Sequence, residues 1–332
     1  MPNGRFIVAE SPIQRSVVTG QVLPDTNIDD VRGSEGARKV RFFMSYITVG
    51  KENSGTIDLY YEDHGTGKPV VLIHGWPLSS MSWEKQVPAL LDAGYRVVAY
   101  DRRGFGNSAR SALGYDYDTL AEDLHRLMTE LDLRDATLVG FSMGGGEVAR
   151  YLGTHGSDRV EKAVFVSAIP PFLLKTPENP EGVEGSVFDG IIESIVADRP
   201  AFLTGFFQDF YNADLFLGDR ISDEVLRLIW NTAAAASPRG TLDCVSAWLT
   251  DFRGDLASID VPVLVIHGDA DRIVPFPASG RRIPGLVKES RLVVIEGGPH
   301  GVIWTHAGEV NREVLGFLEE QVEPMQPVVG LS

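Results

Sequence analysis

The residues Gly140, Phe141, Ser142, Met143 and Gly144 form the pattern G-x-S-x-G. Such a string can arise by chance in a glycine-rich chain, so its setting carries the meaning. The apolar run 136–141 before it reads as a strand, and residues 145–151 after it read as a helix. A strand, a sharp turn and a helix push a serine hydroxyl out of a sheet, and the flanking glycines avoid side-chain collisions across that turn. The amide of Met143 then sits at a helix N-terminus, aimed at whatever Ser142 attacks. A serine hydroxyl is a weak nucleophile at neutral pH, so it needs a base within hydrogen-bond reach and a carboxylate to orient that base. Of the seven histidines, His300 lies in the turn-forming run 296–301 directly after the last apolar run, at the edge where Ser142 emerges. Asp269 and Asp271 both follow the run 261–267, and the residues alone leave either as the orienting acid. The order Ser, Asp, His is the one this type of turn uses. A second donor for a developing oxyanion is expected after an early strand, where His74, Gly75, Trp76 and Pro77 follow the run 70–73. Pro77 biases Trp76 towards an extended backbone, which would fix the direction of its N–H and carbonyl. His64, His125, His155 and His306 read as surface or packing residues.

These residues need a frame that brings distant parts of the chain to one edge. From Ile47 onward short apolar runs alternate with longer segments of helical period, the signature of a parallel sheet with helices on both faces. Strands are expected at 70–73, 96–100, 136–141, 163–167, 261–267 and 291–296, several of them almost pure Val, Ile and Leu, as strands buried on both faces should be. Residues 117–131 place Leu120, Leu124, Leu127, Met128 and Leu131 on one stripe, a helix lying on the sheet. Residues 56–62 and the turn His64, Gly65, Thr66, Gly67 read as an antiparallel strand.

The alternation stops between about 168 and 254, where four prolines precede helical segments containing Phe188, Phe202, Phe206, Phe207, Phe210, Tyr211, Phe216, Trp230 and Trp248. Helices inserted at the carboxyl edge of such a sheet would roof the site. Most of these aromatics are expected to form the roof's own core, with two or three lining a pocket. The expected organisation is an N-terminal extension at 1–43 without a core of its own, an α/β core at 44–167 and 255–322, a helical cap at 168–254 and a tail at 323–332. An amphipathic targeting helix in the extension is disfavoured by Pro12 and Pro24.

Composition narrows the function. The chain of 332 residues carries 30 Lys and Arg against 46 Asp and Glu, a net charge of −16, which repels nucleic acid backbones and anionic membrane surfaces. With one cysteine, Cys244, neither an intrachain disulfide nor a C-x-x-C redox pair can form. No run is long and apolar enough for a membrane span and the N-terminus lacks a secretion signal, so a cytoplasmic protein is expected. His300 and His306 lack a metal-binding spacing, and no metal or cofactor is expected.

The stretch from Met44 to about Glu320 resembles the α/β-hydrolase fold, and more closely the cofactor-free, non-haem chloroperoxidases, which overlap with bacterial aryl esterases and perhydrolases. The resemblance rests on the phrases ITVGKENSGTIDLYYEDHGTGKPVVLIHGWP, AGYRVVAYDRRGFGNS, GFSMGGGEVARYL, HGDADRIVP and GGPHGVIWTH. By position it implies Ser142 as nucleophile, Asp271 as acid, His300 as base, and Trp76 and Met143 as oxyanion donors. It also implies an acyl-enzyme released either by water or by hydrogen peroxide, the latter giving a peracid that oxidises halide. In this family a proline after the oxyanion tryptophan, here Pro77, is associated with perhydrolysis. The implied partners are a small ester or carboxylic acid and hydrogen peroxide, and the implied assembly is a homo-oligomer, a trimer or dimer of trimers.

Other readings are weaker. Gly144, Gly146 and Ala149 fit a dinucleotide fingerprint, but the next strand ends in Val166, Ser167 and Ala168 with no acid to hold a ribose. The run Arg102 to Gly106 looks like a phosphate cradle and reads better as the turn after a strand. A lactonase or carbon–carbon bond hydrolase shares the same triad, since pocket shape decides between acyl substrates. A ligand receptor or scaffold with an idle triad would be expected to have lost a triad member.

Overall fold

The computed structural model describes residues 45–320. The extension at 1–43 and the tail at 323–332 lie outside those residues. In chain order the elements are β1 (Tyr46–Glu52), β2 (Gly55–His64), β3 (Pro69–Ile73), α1 (Val87–Asp92), β4 (Arg96–Tyr100), α2 (Tyr117–Glu130), β5 (Ala136–Phe141), α3 (Met143–His155) and β6 (Val160–Val166). They continue with α4 (Gly185–Phe210), α5 (Ala213–Phe216), α6 (Asp223–Ala235), α7 (Pro238–Ala247), α8 (Arg253–Ser258), β7 (Val263–Gly268), β8 (Ser290–Ile295), α9 (Val302–Thr305) and α10 (Ala307–Glu319).

The eight strands form one sheet in the order β1-β2-β4-β3-β5-β6-β7-β8. β2 runs antiparallel to both its neighbours, and every pairing from β4 across to β8 is parallel. The central strands are buried on both faces because successive side chains point to opposite sides of the sheet. Val71 and Ile73 of β3 join a core with α2, α3 and α8, whereas Val70 and Leu72 join a second core with α1 and α10. Residues 168–252 leave the sheet between β6 and β7 and supply α4 to α7.

Several boundaries differ from the sequence reading for identifiable reasons. β1 is not among the expected strands; only Ile47 and Val49 of its side chains are buried, too few to show a period of two. β6 begins at Val160 and not at 163, because the charged Lys162 that obscures its start is buried, with its Nζ donating to the carbonyls of Phe317 and Leu318 at the end of α10. β7 begins after Pro262, which has no N–H to give to a ladder. α8 crosses the boundary expected at 254 and packs on α3, where Arg150 pairs with Asp255. α3 starts at Met143, so the three glycines 144–146 are helical.

The glycines of α3 let the helix approach the sheet. A Cβ at Gly145 would lie 2.4 Å from the Cβ of Ala168, whereas one at Gly316 on the exposed face of α10 would meet nothing within 4 Å. Gly145→Val should therefore cost about 1–3 kcal/mol through overpacking. Gly316→Ala should instead gain about 0.5–1 kcal/mol by relieving the helix of a glycine. Urea denaturation followed by circular dichroism checks both signs.

Candidate active site

Three loops that leave the sheet at the carboxyl ends of β5, β7 and β8 meet at Ser142. Ser142 has φ 54° and ψ −118°, a region that side-chain-bearing residues rarely occupy. Its N–H donates to Val166 of the neighbouring β6 at 2.8 Å, and its carbonyl accepts from Gly145 at 3.0 Å. The turn is so tight that a Cβ at Gly140 or Gly144 would lie 2.5 or 2.3 Å from a backbone carbonyl oxygen. The bend aims the Ser142 hydroxyl away from the sheet and towards His300.

His300 Nε2 lies 2.8 Å from Ser142 Oγ, and its Nδ1 lies 2.7 Å from Asp271 Oδ2. A carboxylate accepts only, so Nδ1 carries the hydrogen and Nε2 is left to accept from the serine. The ring is clamped by Phe210 at 4.7 Å and Phe141 at 5.2 Å, and the next residue, Gly301, donates to the carbonyl of Phe210. Asp271 is held as firmly, its Oδ1 accepting from the amides of Ile273 and Val274, each at 2.8 Å. Burial would raise its pKa, but the neighbouring His300 and the hydrogen bonds from His267 and His300 hold it well below the usual carboxylate range. Asp269, the other acid that the residues left open, instead accepts from the Gly297 amide at 2.7 Å and so braces the loop carrying His300.

Trp76 and Met143 flank the same point. A Cβ on Gly75 would lie 3.1 Å from the Cβ of Ser142, which puts the two loops in contact. Among the described residues, neither the Trp76 nor the Met143 amide donates to a backbone acceptor outside the regular elements. Met143 also occupies the first position of α3, where an amide has no helical acceptor. The Trp76–Pro77 peptide is cis, and the indole Nε1 donates to the Thr241 carbonyl at 3.1 Å.

Behind this loop lies a buried polar network that the sequence reading missed. His74 Nε2 accepts from the Arg102 amide at 3.0 Å and its Nδ1 donates to the Gly75 carbonyl at 2.8 Å, so the ring is a neutral brace. Burial, then the charge of Arg102, push its pKa well below the ordinary value. Arg102 in turn donates to the His74 carbonyl at 2.9 Å and to Glu147 at 2.8 Å, and Tyr100 donates to the same carboxylate. Burial works against the charge on Arg102, but Glu147 together with Tyr100 and Cys244 offsets it and holds the pKa above the ordinary guanidinium value. The run from Arg102 is thus an anchor as well as a turn, and Glu147, an acid directly after three glycines, is the signal that could have pointed to it. His267, next to Asp271 in space, was also unassigned. Of the remaining histidines, His64 is exposed, His125 and His155 stack on each other at 4.2 Å, and His306 packs against Phe216.

A cavity of about 640 Å3 opens in front of Ser142. Four of the expected aromatics line it, Phe188, Phe202, Phe206 and Trp248, one more than the upper expectation. The reason lies in α4, which breaks at Asp198 (φ −158°, ψ 86°) ahead of Pro200, so that both halves turn a face to the cavity. Phe207, Phe210 and Tyr211 are buried outside the lining. Among the described residues no group of three or more His, Cys, Asp or Glu could hold a metal, and no helix is long and apolar enough to cross a membrane.

Residues 68–307 match the family model of the α/β hydrolase fold. Over 276 residues, 83% of this chain and 100% of the relative, the sequence is 62% identical to a Synechocystis sp. protein provisionally named a non-heme chloroperoxidase. It is 43% identical to the non-heme chloroperoxidase CPO-A1 of Kitasatospora aureofaciens, over 80% of this chain and 97% of that one. The chain belongs to the non-haem chloroperoxidase group of the α/β hydrolases. The group's solved structures include a bromoperoxidase from Bacillus anthracis, which superposes with a TM-score of 0.80 at 50% identity, covering 83% of this chain and 99% of that one. A bifunctional esterase/perhydrolase of Acinetobacter calcoaceticus is 37% identical, over 83% of this chain and 99% of the relative. Membership makes this chain an enzyme.

The Arg102 and Glu147 pair supplies a direct check on how the site is held. Glu147→Ala leaves a buried guanidinium uncompensated and should cost about 3–5 kcal/mol. Denaturant titration of the variant against the parent measures that loss.

Proposed function

We propose that the chain is a serine esterase and perhydrolase working through an acyl-enzyme on Ser142. The observation that carries this reading is the unbroken line from Ser142 Oγ through His300 to Asp271 at the floor of an apolar cavity. His300 Nε2 takes the hydroxyl proton as Ser142 attacks the ester carbonyl, and the Trp76 and Met143 amides receive the negative charge that develops on the carbonyl oxygen. Asp271 stabilises the imidazolium while His300 returns the proton to the leaving alcohol. The acyl group then remains on Ser142.

Water activated by His300 releases a carboxylic acid from that intermediate. Hydrogen peroxide attacking in its place releases a peracid and restores the serine hydroxyl. The peracid oxidises halide to hypohalous acid in solution and is itself reduced to the carboxylic acid. The Trp76 carbonyl, fixed by the ring of Pro77, can accept a hydrogen bond from the peroxide nucleophile. Support for peroxide as acceptor comes from relatives named for chloroperoxidase and perhydrolase activity. The cavity favours an acyl or alcohol group that is apolar or aryl-bearing, since most of its wall is carbon, with Asp198, Asp209 and Arg272 as its charged members. We also propose a cytoplasmic location and extend to this chain the assembly implied by the resemblance, a trimer or dimer of trimers, readable as mass by light scattering.

Bromination of a dione reporter with hydrogen peroxide and bromide tests the proposal. Activity should require acetate and be absent in a buffer without carboxylate. Ser142→Ala should lower both bromination and aryl-ester cleavage by at least about a thousandfold. Bromination that ignores Ser142, beside ester cleavage that needs it, would sink the perhydrolase half and leave a plain esterase or lactonase.

A further inference from the structure

His267 is fully buried at the end of β7 and stands outside the line from Ser142 to Asp271. Its Nε2 lies 3.0 Å from the Val274 carbonyl and 3.2 Å from Asp271 Oδ2. Both are acceptors, so Nε2 carries the hydrogen, which is directed first to the Val274 carbonyl and meets Asp271 Oδ2 as a second, longer contact. Asp271 Oδ2 is the oxygen that also takes the Nδ1 hydrogen of His300 at 2.7 Å. One carboxylate oxygen therefore serves two imidazoles, while the other is filled by two backbone amides. The opposite edge of the His267 ring is left bare. Its buried Nδ1 has no partner among the described residues and faces Gly280, where a Cβ would lie only 2.4 Å away. A buried polar atom without a partner is costly, so the placing of this ring is decided on its Nε2 side.

We propose that His267 is a positioning residue for the reaction, fixing the rotation of the Asp271 carboxylate and drawing charge from the oxygen that faces His300. The inference rests on the proposed roles of Ser142, His300 and Asp271. A hydrogen bond donated to Oδ2 weakens the stabilisation that oxygen gives the imidazolium formed when His300 takes the Ser142 proton on Nε2, and so eases release of that proton to the leaving group. The titratable groups facing His267 are Asp271 and, through it, His300. Its other neighbours, Val274, Phe276 and Gly280, carry no charge. Asp269 and Arg272 flank Asp271 in sequence but are directed elsewhere, to the Gly297 amide and to Asp214. His300 is otherwise faced by Ser142, Phe141 and Phe210.

The test is the pH profile of kcat/KM for an aryl ester in the full-length enzyme, whose acid limb reports the free enzyme's base. In His267→Phe the limb should move to higher pH by about half a unit or more, because Oδ2 then holds the imidazolium harder. At the same time kcat should fall about tenfold, a small part of what general acid–base assistance supplies. KM should stay within about twofold, since no substrate contact is lost. His267→Gln, whose amide can reach the Nε2 position, should bring the limb back towards that of the parent. A limb that stays put in both variants while only thermal stability drops would overturn the proposal and leave His267 a packing residue. Neutron diffraction from the parent enzyme decides the matter without a variant: deuterium on Nε2 is expected, and deuterium on Nδ1 alone overturns it. Ser142→Ala, assayed alongside, keeps the two readings apart. Ester turnover that survives it removes the underlying mechanism, whereas turnover lost there with no change of limb at His267 removes only this inference.

Discussion

Ser142 must hold a backbone conformation that its side chain disfavours, and much of the surrounding structure can be understood as what keeps it there. On one side its amide is tied to β6, and on the other its carbonyl starts α3. Two glycines give up their side chains so that β3 and the first turn of α3 can close on it. With φ at 54°, the hydroxyl projects beyond the sheet's carboxyl edge, the place where the loops after β7 and β8 also arrive. A parallel sheet is what makes that convergence possible, because its strands all end at the same side.

The electrostatics follow from the same crowding. The loops pack directly on one another, so most of the charged and polar groups near Ser142 are paired inside the protein. Asp271 does so with two backbone amides and the Nδ1 of His300, and with His267 Nε2 as a further contact at 3.2 Å. Arg102 and Glu147 do so as a pair with Tyr100 and His74, which places a neutral unit behind the loop of Trp76. Such a network adds little to stability when compared with an apolar replacement, but it penalises loss of any single member.

The frame was legible because burial on both faces leaves long stretches of Val, Ile and Leu, as in β3, β5 and β7. The proposed nucleophile, its proposed base and the loop of the proposed acid could be picked out because each sits directly after such a run. The choice between Asp269 and Asp271 was not written in local residues; both are turn acids, and only the fold shows that one braces a backbone amide and the other an imidazole. Glu147, Arg102 and His267 were illegible for a related reason. The first two meet across 45 residues, and His267 looks like any residue ending a strand. β1 and the start of β6 were hidden by exposed or charged residues whose partners lie elsewhere in the chain.

The walls of the cavity come largely from the chain between β6 and β7, while the side chains proposed to react come from loops of the sheet. Inheritance can therefore treat the two separately: the cap is free to drift and explore new cargoes while the machinery stays fixed. Trp76 is where that freedom ends. Its indole lines the cavity and packs on Trp248 and Phe206, while its amide belongs to the loop touching Ser142. A lineage that reshapes this wall at residue 76 alters selectivity and turnover together, so diversification of substrate range should be concentrated along α4 and scarce at the tryptophan.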